Sequence, residues 1–297
     1  MSLGLRLLLP LLLLAASSGA DRRASLRHRL SRLKPSKVKV REERLHVDLE
    51  GHRPCRWHQD NIRTGKWIEK IRFPSFDSAP LLEDKENPGC YRIGGNVFVK
   101  APLQAPLQLH LQFKQRVKGQ RAPEACIKAD GATGCGGVGS CLYCDRCQNY
   151  KRNRAVHVAQ ASVEVDGKPV RCRQTLRPGW HKNIFLRFCL PTKSQFLEAQ
   201  GLSEKVWREI VENREKTGED GSVSVFLYVR IFNSKINLLM KDQIEVERYH
   251  RTVLKIPNTQ PLPVEIYDQL PFNRFITEER GYIGCHRIHG NVKLDRE

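Results

Sequence analysis

The sequence predicts a mainly β protein: two packed antiparallel sheets, stapled by disulfides, with one amphipathic helix inserted between strands. Three observations carry that reading. Apolar and polar residues alternate through several segments. Ten cysteines, an even number, follow a secretory leader. One stretch near residue 203 changes to helical spacing.

Strand signals begin near residue 91. Leu107, Leu109, Leu111 and Phe113 alternate with Gln108, His110, Gln112 and Lys114, giving one apolar face and one wet face. Val156 and Val158, then Ala161, Val163 and Val165, keep the same period, and Asp166-Gly167 marks a turn. Ile184, Leu186, Phe188 and Leu190 make a further strand. The clearest is Val223, Val225, Leu227, Val229 and Ile231, whose other face carries Phe226, Tyr228 and Phe232. Apolar on both sides, it belongs at the centre of a sandwich.

In the predicted helix, Ser203 is the cap, Val206, Trp207, Ile210 and Val211 share a face, and Leu202 staples onto Trp207. A shorter turn runs from Thr192 to Gly201. Four prolines from Pro257 to Pro271 rule out a central strand and predict an extended arm. A near-repeat links Gly89–Val97 with Gly284–Val292, identical at seven of nine positions. It is too short for a repeat domain and reads as two strands, each with a cysteine at one end and a Gly-Asn kink.

The leader itself is Arg6, an apolar run from Leu7 to Ala16 broken by Pro10, and Ser17-Ser18-Gly19-Ala20, with cleavage expected after Ala20. A membrane-spanning helix needs about 20 apolar residues, more than this run offers. Residues 1–20 are therefore assigned as signal peptide, residues 21–50 as a basic, disordered extension and residues 51–297 as the folded domain. The expected location is extracellular, ahead of the lysosomal lumen. The formal charge of +19 is concentrated in clusters. Asp21 to Arg44 holds ten Lys or Arg against three acids, and Lys114, Arg116, Lys118 and Arg121 form another group. Outside the cell the matching anions are glycosaminoglycans and acidic lipid headgroups; nucleic acid is not an expected partner.

Catalytic motifs do not appear. The glycines from Gly131 to Gly139 lack the Lys-Ser or Lys-Thr of a phosphate loop, and neither a Gly-x-Ser-x-Gly elbow nor His-Glu-x-x-His occurs. Cys135, Cys141, Cys144 and Cys147 have a spacing that zinc accepts, but zinc needs thiolates and an oxidising lumen removes them. Disulfides are expected for all ten: Cys55, Cys90, Cys126, Cys135, Cys141, Cys144, Cys147, Cys172, Cys189 and Cys285, with no metal and no cofactor. Their pairing cannot be read from spacing.

Gly95-Asn96-Val97-Phe98-Val99, the connection Lys100-Ala101-Pro102-Leu103-Gln104-Ala105-Pro106-Leu107 and the alternating strand after it resemble the ganglioside activator branch of the ML lipid-recognition family. Gly139-Ser140-Cys141 with Cys147, and Gly284-Cys285 near the end, are similar to further family motifs. The likeness covers roughly residues 90–150 and 280–294; the length, the basic extension, the long charged insertion near 195–216, and Cys90, Cys126 and Cys144 depart from the pattern. It implies a short cystine loop from Cys135 to Cys141, and Cys285 tied back to Cys55 or, failing that, to Cys90. It also implies an immunoglobulin-like sandwich whose sheets admit acyl chains: a secreted, non-catalytic carrier or presenter of lipid or glycolipid. Leu107, Leu109, Leu111, Phe113, Ile184, Leu186, Phe188, Val225 and Leu227 are then the candidate cavity walls. The alternative function is an extracellular matrix or signalling module that binds polyanions or a receptor through its basic surface.

Overall fold

The computed structural model describes residues 46–55, 69–115, 122–144, 161–171, 173–200, 203–209, 222–257, 260, 262–276 and 282–293. Residues 1–20, expected to be a leader, most of the expected basic extension, Val156, Val158, Leu202, Ile210, Val211, Cys147 and Cys172 lie outside these residues.

The architecture is mainly β, with antiparallel pairing throughout both large sheets. The first sheet is built from β1 (His46–Pro54), β6 (Gln108–Gln115), β7 (Leu142–Tyr143), β12 (Ser222–Phe232) and β13 (Tyr282–Lys293), in the order β1-β13-β12-β6-β7. The second contains β2 (Ile71–Arg72), β4 (Cys90–Val99), β8 (Ala161–Val165), β9 (Lys168–Pro169) and β11 (Gly179–Cys189), in the order β2-β4-β11-β8-β9, with β3 (Leu82–Glu83) also beside β4. A small ribbon pairs β5 (Leu103–Gln104) with β10 (Thr175–Leu176).

Alternation aims the apolar faces of the two sheets at each other. Ile93, Val97 and Val99 of β4 and Ile184, Leu186 and Phe188 of β11 share one core with Leu109 and Leu111 of β6, Val229 and Ile231 of β12 and Ile288 of β13. The central strand β12 is rich in β-branched and aromatic residues, which suit a pleated surface packed on both sides. Its outward Phe232 and Leu142 of β7 pack against Ile236, Met240 and Phe272 of a helical layer.

That layer corrects the single-helix expectation. Helices α1 (Lys193–Gln200) and α2 (residues 204–209) occupy the expected place, and α3 (Asn237–Val253), α4 (Val264–Gln269) and α5 (Pro271–Arg274) are additional. Helix α3 shows no clear apolar stripe in the sequence, because two of its three buried residues are polar, Gln243 and Arg251 beside Met240. Arg251 is paired with Glu247 at 2.8 Å and donates to the carbonyls of Pro257 and Gln260. The arm expected between Pro257 and Pro271 is also corrected. Pro263 caps α4 and Pro271 opens α5, where a missing N–H costs nothing. In α2, the Ser203 hydroxyl accepts the Val206 N–H at 3.3 Å; Trp207 is buried while Val206 is exposed. No helix of the described residues is long and apolar enough to cross a membrane.

The folded part also begins earlier than residue 51, since β1 starts at His46 and His46 to Leu49 already pair with β13. Apolar patterning is weak there, and the pairing partner is more than 230 residues away. Cys55 is bridged to Cys285, and Cys90 to Cys189, which stand opposite each other on β4 and β11. The implied Cys135–Cys141 loop does not form; Cys126 pairs with Cys141, and Cys135 with Cys144. Ile127 and Val138 exchange backbone hydrogen bonds of 2.9 Å in both directions, which lays Cys126 alongside the glycine loop. A side chain at Gly137 or Gly139 would collide with the carbonyls of Ile127 or Ala125, so only glycine permits this approach.

The near-repeat supplies one long strand to each sheet, β4 and β13. In each case the glycine lies beside a bulge in the partner strand, between His181 and Ile184 of β11 and between Leu49 and Gly51 of β1.

Candidate functional site

The second sheet ends at one edge of the sandwich before the first sheet does. Strand β11 stops at Cys189, and Leu190-Pro191 turn the chain into α1. The start of that helix is fixed by a reciprocal cap. Thr192 N–H donates to Gln195 Oε1 at 3.0 Å, and Gln195 N–H donates to Thr192 Oγ1 at 3.3 Å. Beyond Phe188, the inner face of the first sheet is therefore covered by a helix instead of a strand. Phe196 and Leu197 of α1 pack there with Val225, and Trp207 of α2 stands edge-on behind Phe196 at 5.5 Å.

An apolar pocket of about 60 Å³ opens at this junction. Its walls include Leu111 and Phe113 of β6, Phe188 of β11, Val225 and Leu227 of β12, and Phe196. Glu124 and His289 are the ionisable residues of the lining. An apolar cavity of about 150 Å³ stays dry and takes up benzene, so the space here accommodates only part of a hydrocarbon chain unless the helix moves outward.

Of the nine candidate walls, Leu111, Phe113, Phe188, Val225 and Leu227 are brought together at the pocket. Leu107, Leu109, Ile184 and Leu186 are not; they are buried in the closed core farther along the sheets. Leu49 and Phe196 line the pocket and were missed. For Phe196 a signal existed: Thr192-x-x-Gln195 is a capping-box pattern, and an apolar pair follows it.

Other ionisable groups cluster away from the pocket. Toward the closed end, His52 and His286 are buried, with a ring-nitrogen separation of 3.0 Å, and Phe73 and Phe76 meet them edge-on. His52 Nε2 bonds to the Ala79 carbonyl, which makes it the donor there and leaves Nδ1 to accept from His286. Burial, and then the neighbouring His52, push the His286 imidazole down to about 3; burial also lowers His52. On the outer face of the second sheet, Arg92 and Arg187 lie within 3.1–3.6 Å of Asp84 and Glu164, a balanced set of charges. Among the described residues, no group of three or more His, Cys, Asp or Glu is placed to hold a metal ion. No protein-family model matches this chain, and no curated protein matches it.

Proposed function

We propose that the protein is a secreted, non-catalytic carrier that holds the acyl chain of a lipid or glycolipid between its two sheets. The observation that carries this reading is the apolar pocket at a junction where a helix closes the interior. Each CH₂ buried there is worth roughly 0.8 kcal/mol, so a chain is retained without a conspicuous polar motif. Room for it comes from outward displacement of Phe196 with α1, which is held by a small cluster of four buried apolar residues. The four disulfides among the described residues suit an oxidising compartment, in keeping with the export that the expected leader would direct.

Uptake of a fluorescent fatty-acyl probe tests the reading. Phe196→Ala enlarges the pocket and should raise uptake; Leu111→Trp fills it and should reduce uptake severalfold while the protein stays folded by circular dichroism. A wild-type protein that takes up no probe, or a folded Leu111→Trp variant that binds normally, would refute the carrier.

A further inference from the structure

The outer face of the first sheet, opposite the pocket, carries several cations that no carboxylate of the described residues meets within ion-pair distance, the nearest charge influence being Asp268 on Lys114. In register across four strands stand Gln112 of β6, Tyr228 of β12, Arg287 of β13 and Arg53 of β1. The two arginines are direct cross-strand neighbours, an arrangement that repels. Two residues to one side of that row lies Arg230 of β12, opposite His110, and two residues to the other side lies Lys114 of β6, opposite Phe226. Both guanidiniums flank the same ring: the Arg230 carbon is 5.6 Å from the Tyr228 centroid and that of Arg287 is 5.7 Å from it. Arg287 also stacks 4.6 Å above Phe226.

The polar partners of these cations are few. Arg230 Nη1 donates to Gln112 Oε1 at 3.1 Å, and Gln112 Nε2 donates to the Tyr267 hydroxyl of α4 at 3.1 Å. The Arg287 Nε–H is buried without an acceptor. Among the described residues, none of Arg53, Lys114, Arg230 and Arg287 is within ion-pair distance of a carboxylate, whereas Arg92 and Arg187 on the other sheet are both paired. Burial, and then the charge of Arg230, hold the Lys114 ammonium below its usual range, while Asp268 of α4 acts in the opposite sense. Half-buried cations held together in this way are costly unless an anion joins them. Arginine forks suit tetrahedral oxyanions, and the aromatic rings hold the forks in place before binding.

We propose that Arg230, Arg287 and Lys114, with Arg53 at the edge, form a seat for a single tetrahedral oxyanion, a phosphate or sulfate group. The seat is on the opposite face of the sheet from the acyl pocket and does not depend on it.

The test uses the secreted full chain at constant ionic strength, so that general screening is equal in every sample. Inorganic phosphate and inorganic sulfate should raise the melting temperature saturably relative to chloride. Arg287→Gln should weaken phosphate binding about tenfold or more, as loss of a charge-assisted hydrogen bond implies. Arg53→Gln, at an exposed position that does not threaten folding, should weaken it by a smaller factor. Lys182→Gln, which removes an equal charge from the other sheet, should leave binding unchanged. Phosphatidic acid in phosphatidylcholine vesicles and a heparin oligosaccharide then separate the sources. Arg287-dependent binding to vesicles identifies a lipid headgroup, to heparin a sulfated glycan, and to phosphate alone a small free anion. The proposal fails if phosphate and sulfate act like chloride at matched ionic strength, or if Lys182→Gln and Arg287→Gln weaken binding equally.

Discussion

Toward one end of the interior, Ile93, Ile184, Leu186 and Ile231 are packed sheet against sheet and almost wholly buried. Toward the other end, Leu111, Phe188 and Val225 meet a helix, and a pocket remains between them. The strands are the same, β6, β11 and β12, and their alternation does not change from one end to the other. What changes is the length of the opposing sheet. An alternating strand thus specifies that one face must be covered, but whether a sheet or a helix covers it depends on where the partner strand stops. A helix held by a few side chains is easier to move than a strand held by a backbone ladder.

The largest effect expected from this contrast is on stability. Ile184→Ala in the closed half should cost about 2–5 kcal/mol in urea unfolding, because the surrounding sheets cannot collapse into the space. Leu227→Ala beside the pocket should cost less than half as much, since that side chain is only partly buried and its neighbour is a helix. Equal losses at the two positions would remove the distinction between the two ends.

The second effect is a dependence on pH belonging to the closed half. A histidine in the unfolded chain titrates near 6.5, while folded His286 titrates at about 3. Below 6.5 the unfolded state therefore binds more protons than the folded one, and stability falls as pH falls through that window. By about pH 5 the loss from His286 alone should reach roughly 2 kcal/mol. His52 and His110, also lowered by burial, act in the same direction. His286→Leu should flatten the plot of urea midpoint against pH; an unchanged slope would contradict the assignment.

The smallest effect isolates the helical cover. Ser203→Ala removes the cap on α2 and should cost about 1 kcal/mol locally. Hydrogen exchange should rise in α1 and α2 with little change in β4 and β11. Uniform acceleration across both sheets would mean that the cover is part of the same cooperative unit as the closed core.

Much of the fold was legible because its signal is local. β6, β8, β11 and β12 announce themselves by period two, and Ser203 by its place before Trp207. What was illegible depends on distant partners. β1 joins the sheet through β13, and Cys126 meets Cys141 only because Ile127 pairs with Val138. Helix α3 hides its register by burying Gln243 and Arg251. All nine candidate walls belong to the buried apolar clusters or pack against them, and nothing in their spacing says which five line the pocket near α1.

Read alone, the alternating residues determined that this chain makes strands with one apolar face, and the even set of cysteines behind an expected leader made cystines the expected state. Tertiary structure decided how those faces are shared. The rows of outward residues that bring Arg53, Arg230 and Arg287 together arise from pairing among β1, β13 and β12, strands far apart in sequence. The division of the interior into a closed core and a helix-covered pocket likewise follows from β11 ending at Cys189 opposite strands that continue. Side-chain period is a property of neighbouring residues along one strand, whereas register and coverage are properties of pairs of strands, and a single strand's sequence does not encode its partner's length.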